Sequence, residues 1–85
     1  MNEYFRLERV RAKITILVIT GKNEAMINFT TEDHSKRFAD LEWKDMTGSD
    51  SKVFQTLRKA FDEDRWVTLV LERKETRRDW VKRVE

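Results

Sequence analysis

Residues 9–19 read RVRAKITILVI, and this stretch decides the fold class. Apolar side chains occupy every second position from Val10 onward, and the positions between them are basic at first and apolar at Leu17 and Ile19. An alternation with a period of two is typical of a β-strand. A second face that turns apolar halfway is expected of a strand that becomes covered on both sides or bends at a barrel corner. We therefore predict one long strand, with one face made of Val10, Ala12, Ile14, Ile16 and Val18.

Two more strands follow the first. Residues 21–24, GKNE, are a turn signal, and residues 25–31 alternate as the second strand of a hairpin. Residues 31–36 form a polar connector. Residues 37–44 alternate again and predict a third strand. One of its faces carries Phe38, Asp40, Glu42 and Lys44, and the other carries Ala39, Leu41 and Trp43.

The second half of the chain begins with a helix signal. Residues 49–51, SDS, are capping residues just before an apolar stripe with helical spacing, which predicts a helix over residues 52–62. Residues 66–72 are β-branched and aromatic and predict a strand buried on much of both faces. Residues 74–85 fit either a last strand or a short helix, because Trp80 and Val84 suit both spacings.

The order of these elements resembles the OB-fold, a small five-stranded Greek-key barrel with its helix between the third and fourth strands. The resemblance covers residues 9–85, although the first strand lacks the mid-strand glycine with which many such barrels bend. We therefore expect an α+β, mostly β chain, folded as an OB-like barrel in the order β-β-β-α-β-β. A two-layer antiparallel sheet with the helix packed on one face explains the same pattern and stays open. No linker or repeat interrupts residues 1–85, so we expect one domain.

The composition limits what the chain can be. It has 85 residues, 39% hydrophobic and 40% charged, so we expect one thin core surrounded by ion pairs. The absence of cysteine excludes disulfides and thiolate metal sites. The first residues lack the apolar core of a secretory signal, and the longest apolar run, residues 14–19, is far shorter than the ~20 residues of a membrane span. We therefore expect no membrane contact and a cytoplasmic location, and the size suits a small virus-encoded or accessory protein.

No set of residues in the sequence points to catalysis. His34 is the only histidine and lies in the polar connector, where we expect a solvated loop residue rather than a triad member or a metal ligand. Residues 49–52, SDSK, match an S-x-x-K string, but helix capping accounts for these serines. Gly21 and Lys22 lack the upstream glycine of a phosphate-binding loop. We expect a non-enzymatic binding module without metal, cofactor or small-molecule substrate.

Protein–protein interaction, with another protein or with a second copy of the chain, is the first functional hypothesis. Proline on an edge strand hinders pairing with another chain, and this strand-rich chain has no proline. An exposed edge, such as the first strand or the tail, is therefore open to pairing with another chain. Aromatic and arginine side chains dominate the binding energy of interfaces. The candidate interface residues are Trp66, Arg77, Arg78 and Trp80.

Binding of single-stranded DNA or RNA is the alternative. The net charge is only +2, but residues 1–22 and 72–85 carry an excess of bases. The outward face of the first hairpin would offer basic side chains to the phosphates, and Phe38 would offer an aromatic ring for stacking on a nucleobase. Asp40 and Glu42 lie on the same face and weigh against this hypothesis. The candidate residues are Arg9, Arg11, Lys13, Asn28, Phe38 and Lys44.

Overall fold

A computed structural model describes residues 6–42, 51–73 and 78–85 of the chain. Five strands and one helix follow each other in the predicted order β-β-β-α-β-β. The tail forms a strand, which decides between the two alternatives left open for it. Trp43, Lys44, the capping residues Ser49 and Asp50, and Arg77 lie outside the described residues. The elements are β1 Arg6–Gly21, β2 Glu24–Thr31, β3 Lys36–Glu42, α1 Ser51–Asp62, β4 Trp66–Arg73 and β5 Asp79–Val84.

The strands form a closed barrel in the order β1-β2-β3-β5-β4, and β4 pairs back onto β1. All neighbours are antiparallel except β3 and β5, which meet in parallel through the single register pair Asp40 and Trp80. This closure confirms the OB-like barrel with its helix between the third and fourth strands. It also rules out the two-layer open sheet, since a sheet that closes on itself has no second layer.

β1 bends at a bulge rather than at a glycine. Its register with β2 pairs Ile14 with Phe29 and then Ile16 with Asn28, so Thr15 is the extra residue. Because strand faces alternate with a period of two, one extra residue moves every later side chain to the opposite face. The prediction that Ile16 and Val18 share the face of Ile14 is therefore wrong. Both point outward, and Leu17 packs against the core instead.

The core fills the barrel and is closed at one end by α1. The described helix lies against β1 and β5 and buries three side chains, Phe54, Leu57 and Ala60, in the stripe predicted from the sequence. Strand residues supply the rest of the core in alternation, as β2 shows by burying every second residue. The largest fully buried side chains are Phe29, Ile27, Leu41, Leu57, Leu69, Leu71 and Val70.

β1 is paired along its whole length, but on both sides only at Ala12 and Lys13, so the prediction of an exposed edge is wrong only in part. Residues 6–13 pair with β4 on one side, and residues 12–21 pair with β2 on the other. Beyond Lys13 no described residue of β4 pairs with β1, and here β1 lies against α1 instead. Among the described residues, no helix combines the length and the apolar character needed to cross a membrane.

Candidate nucleic-acid interface

The outward side chains of β1, β2 and β3 form three rows, which we call the three-row face. Register pairing defines each row, because Cα partners on adjacent strands lie side by side. β4 extends the first row by one residue, since Trp66 pairs with Lys13. The first row holds Trp66, Lys13, Thr30 and Lys36, the second Ile16, Asn28 and Phe38, and the third Val18, Met26 and Asp40.

Phe38 is the central feature of this face. Its side chain is 58% exposed, although phenylalanine is among the residue types most often buried. Ile16 lies in the same row, 44% exposed, on the far side of Asn28. A groove of about 400 Å³ runs past these three side chains and is also lined by Thr30 and Lys36. An open ring beside the Asn28 amide and Lys36 can stack on a planar ligand.

The bulge at Thr15 is what builds the apolar part of the face. The Thr15 hydroxyl donates a hydrogen bond to the backbone carbonyl of Asn28 at 3.2 Å, which ties the extra residue to β2. Without the extra residue, alternation would turn Ile16 inward and leave Phe38 without an apolar neighbour in its row. One inserted residue therefore converts a core position into a surface position.

The two lysines of the first row differ in their surroundings. Lys13 Nζ lies 3.2 Å from Asp64 Oδ2, and the Lys13 side chain is 34% exposed. Lys36 is exposed and makes no ion pair with any residue that the structure describes. Both flank Thr30, and since neighbouring strands are about 4.8 Å apart, their Cα atoms lie roughly 10 Å apart. Lys36 can therefore contact an anionic ligand directly, whereas Lys13 already forms an ion pair with Asp64.

Asp40, one of the two acids that weighed against nucleic-acid binding, lies in an ion pair. Arg78 Nη1 lies 3.4 Å from Asp40 Oδ2, and the Asp40 side chain is only 17% exposed. Arg78, a candidate for the protein interface, thus places a positive charge beside an acid at the border of the three-row face, although Asp40 Oδ2 accepts no hydrogen bond from a described residue. Glu42 stays exposed at the end of β3. The repulsion expected for an anionic ligand is reduced accordingly.

Two of the predicted nucleic-acid residues lie on the outer face of β1, beyond the end of the pairing between β1 and β2. Arg9 and Arg11 pair with β4 and precede Ala12, where the pairing with β2 begins, so they have no register partner in the three rows. They line a shallow depression together with residues of the β2–β3 connection. Arg9 Nε contacts Glu85 at 3.1 Å, and Arg83 contacts the same carboxylate at 3.2 Å. Arg9 and Arg83 flank Val70 in register, and Val70 is 2% exposed on the outer face. Arg11 donates a long hydrogen bond of 3.5 Å to Thr68.

The two described tryptophans of the predicted interface do not form one surface. Trp66, 39% exposed, begins β4, whereas Trp80 is half-buried and pairs with Glu72 near the other end of β4. Six residues of strand separate the two positions, which corresponds to about 20 Å. Trp66 lies beside Lys13 and so extends the three-row face. The structure brings Lys13, Asn28, Phe38 and Trp66 together, while Lys44 lies outside the described residues.

The sequence pattern alone misses three members of the face. Lys36 falls in the predicted polar connector, and the alternation puts Ile16 and Val18 on the wrong face of β1. For Lys36 a signal was present, because it lies two residues before Phe38 and hence on the same side of an extended strand. For Ile16 and Val18 none was present, since no glycine or asparagine marks the bulge at Thr15.

The end of the barrel opposite α1 carries a cluster of four charged residues. Arg37 Nη2 lies 3.0 Å from both Glu8 Oε1 and Asp79 Oδ2, and Arg73 Nε lies 2.9 Å from Asp79 Oδ1. The Arg37 guanidinium also lies 5.9 Å from the centre of the Phe29 ring, so it covers the core. Burial alone would raise the pKa of Asp79, but hydrogen bonds and charge from Arg73 and Arg37 outweigh it and hold that pKa below its ordinary value.

His34 lies in the connection between β2 and β3, as a loop residue. It is exposed and adopts a left-handed backbone conformation with φ of 69°. The Thr31 hydroxyl and the Ser35 backbone amide donate hydrogen bonds to the Asp33 carboxylate and lower its pKa. These contacts close a tight polar turn. Within residues 6–42, 51–73 and 78–85, no group of three or more metal-binding side chains converges.

The fold places the chain in the class of small OB-like barrels with one helix. No protein-family model, curated protein or solved structure matches the sequence or the structure. The three-row face is therefore the feature of the molecule from which a function can be inferred.

Proposed function

We propose that the chain is a non-enzymatic binding module that holds single-stranded DNA or RNA on the three-row face. The observation that carries this proposal is the exposure of Phe38 in register with Asn28 and next to a row that contains Lys13 and Lys36. In OB-like barrels, the face of the second and third strands is the usual surface for oligonucleotides and oligosaccharides. Because the first row holds two lysines, we favour the oligonucleotide, which is the anionic one of these two ligands.

Each part of the face has a role in this proposal. Lys13 and Lys36 contact phosphates, and Phe38 stacks on a nucleobase. Trp66 offers a second ring at the end of the first row, which spans about 14 Å across four strands. The Asn28 amide can donate to and accept from the edge of a base. Stacking needs bases that are splayed from their neighbours, so single strands bind better than duplexes.

The proposal is tested by fluorescence anisotropy of labelled 12-nucleotide oligo-dT and oligo-rU, each beside a duplex of the same length. We expect affinity for the single strands to fall as salt rises from 20 to 200 mM. Two phosphate contacts give a slope of about −1.4 in a plot of log affinity against log salt. Replacing both lysines, in Lys13→Ala/Lys36→Ala, should bring this slope close to zero.

The matched control is Lys52→Ala/Lys59→Ala, which removes two exposed lysines of α1 and changes the net charge equally. This control should keep most of the affinity. The proposal is wrong if the wild-type chain binds no oligonucleotide at 20 mM salt, or if the helix control weakens binding as much as the double variant of the face.

A protein partner on the same face is the second candidate, because Ile16, Val18 and Phe38 are all more than 40% exposed. Apolar docking of this kind responds weakly to salt, whereas phosphate binding responds steeply. A partner that competes with oligonucleotide for the face, and whose affinity is unchanged between 20 and 200 mM salt, would favour this candidate.

A further inference from the structure

An apolar groove lies between the last part of β1 and α1. Its volume is about 500 Å³, and Val18, Ile19, Phe54 and Phe61 supply apolar lining. Ile19 is 60% exposed, Val18 43% and Phe61 36%. Large apolar side chains that are exposed next to one another mark an interaction surface more often than isolated ones do.

The strand that forms one wall of the groove is uncharged. Residues 14–20 read ITILVIT, and no charged side chain interrupts them. On the side toward α1, these residues have no strand partner within the described part of the chain. Residues 14–20 therefore present no charge that could repel a partner, whether the partner's strand runs parallel or antiparallel to them.

The charged residues on the α1 side of the groove indicate which partner fits it. Arg58 and Asp62 line the groove from α1 and lie one helical turn apart. A two-fold axis that passes between these two positions sets α1 antiparallel to the α1 of a second copy. Arg58 of each copy then faces Asp62 of the other, while the uncharged walls meet each other. We infer that the groove is the contact surface of a homodimer with two-fold symmetry, held by the apolar residues Val18, Ile19 and Phe61 and by two Arg58–Asp62 pairs.

Three exposed apolar side chains and two ion pairs are few beside the roughly 20 to 30 residues a side of a standard interface, so we expect a weak dimer, with a dissociation constant of roughly 10 to 1,000 µM. Sedimentation velocity of the full chain from 5 µM to 1 mM should show the mass rising from monomer to dimer. Ile19→Glu should weaken the dimer at least tenfold. Leu7→Glu is the matched control, because Leu7 lies on the same strand, is 56% exposed and is outside the groove.

Charge exchange tests the symmetry directly. Arg58→Asp and Asp62→Arg should each dimerise poorly, since each places like charges opposite one another twice. The double variant Arg58→Asp/Asp62→Arg should dimerise again. An equimolar mixture of the two single variants should also form a heterodimer, because every facing pair is then opposite in charge. A substitution that destabilises α1 within its own chain would do so in the mixture as well. A heterodimer in the mixture therefore shows that the substitutions act at the interface and not on the stability of α1.

The inference is overturned if the wild-type chain stays monomeric at 1 mM. A dimer that survives Ile19→Glu but is lost in Leu7→Glu overturns it as well, and so do single variants that dimerise normally or a mixture that gains nothing. If Ile19→Glu lowers the melting temperature of a monomeric chain, the groove is covered from within the chain. Oligonucleotide binding does not enter any of these measurements, so the proposed function stands or falls separately.

Discussion

Lys13 of β1 and Asp64, just beyond the end of α1, form an ion pair with 3.2 Å between Nζ and Oδ2. Asp64 is placed there by the way the helix ends. Its amide donates to the carbonyl of Phe61 and the amide of Arg65 donates to Ala60, with Asp64 in a left-handed conformation at φ of 56°. This is the hydrogen-bond pattern of a Schellman motif. A carboxylate thus occupies the position at Lys13 that a phosphate would take.

Asp64→Asn should therefore raise the affinity for a single-stranded oligonucleotide several-fold, because it releases Lys13 and removes a negative charge from the end of the first row. Asparagine tolerates the left-handed conformation, so the helix end is kept. Glu63→Gln is the control, since Glu63 pairs with Arg65 and its loss changes the net charge equally. An equal gain in both variants would assign the effect to net charge instead of the ion pair. Anisotropy titrations at 50 mM salt measure the difference.

Phe38→Leu should weaken oligonucleotide binding roughly 5- to 150-fold, which corresponds to the 1 to 3 kcal/mol of one stacked base. Phe38→Trp should retain the affinity, since it keeps an aromatic face. Both variants should melt within a few degrees of the wild type, because the ring is 58% exposed. If leucine binds as well as phenylalanine, the ring contributes apolar contact and not stacking.

Leu17→Ala should destabilise the fold more than Ile16→Ala, by about 1 to 2 kcal/mol against less than about 1 kcal/mol. The reason is the bulge at Thr15, which turns Leu17 to the core and leaves Ile16 44% exposed. Urea unfolding followed by circular dichroism gives both free energies of unfolding. The reverse order would mean that β1 runs without a bulge.

Asp79→Asn should lower the free energy of unfolding by about 1.5 to 3 kcal/mol near neutral pH, because it removes charge-assisted hydrogen bonds from two arginines. The folded chain holds the pKa of Asp79 below the ordinary value of about 3.9, so the unfolded chain binds this proton more tightly. The stabilisation is therefore complete above about pH 4 and is lost as the pH falls through the lower folded pKa.

Urea unfolding of the wild type and Asp79→Asn at pH 7, 5, 4 and 3 measures this convergence. Glu32→Gln is the control, because Glu32 is an exposed acid of the β2–β3 connection. Its unfolding free energy should track the wild type at every pH. A gap for Asp79→Asn that stays constant down to pH 3 would contradict a role for the ionised carboxylate.

Local patterns in the chain were sufficient for the elements and their order. The period of two in β2 and β3 and the helical stripe of α1 are properties of neighbouring residues, so they can be recognised without knowing the partner strands. The same patterns put Phe38 and Asn28 on outward faces, and both lie there. The length of the chain and the presence of a single histidine can likewise be read from the sequence without the tertiary structure.

The tertiary structure alone decided which outward residues lie together. Lys13 meets Trp66 because β4 closes the barrel onto β1, whereas Arg9 and Arg11 lie outside the three rows because the pairing with β2 begins only at Ala12. Strand pairing brings together residues that are distant in the chain, and a period of two holds no information about which strands pair. The bulge at Thr15 also depends on this pairing, since an extra residue exists only relative to a partner strand. RVRAKITILVI thus determined a long strand by itself, and barrel closure decided what each half of that strand faces.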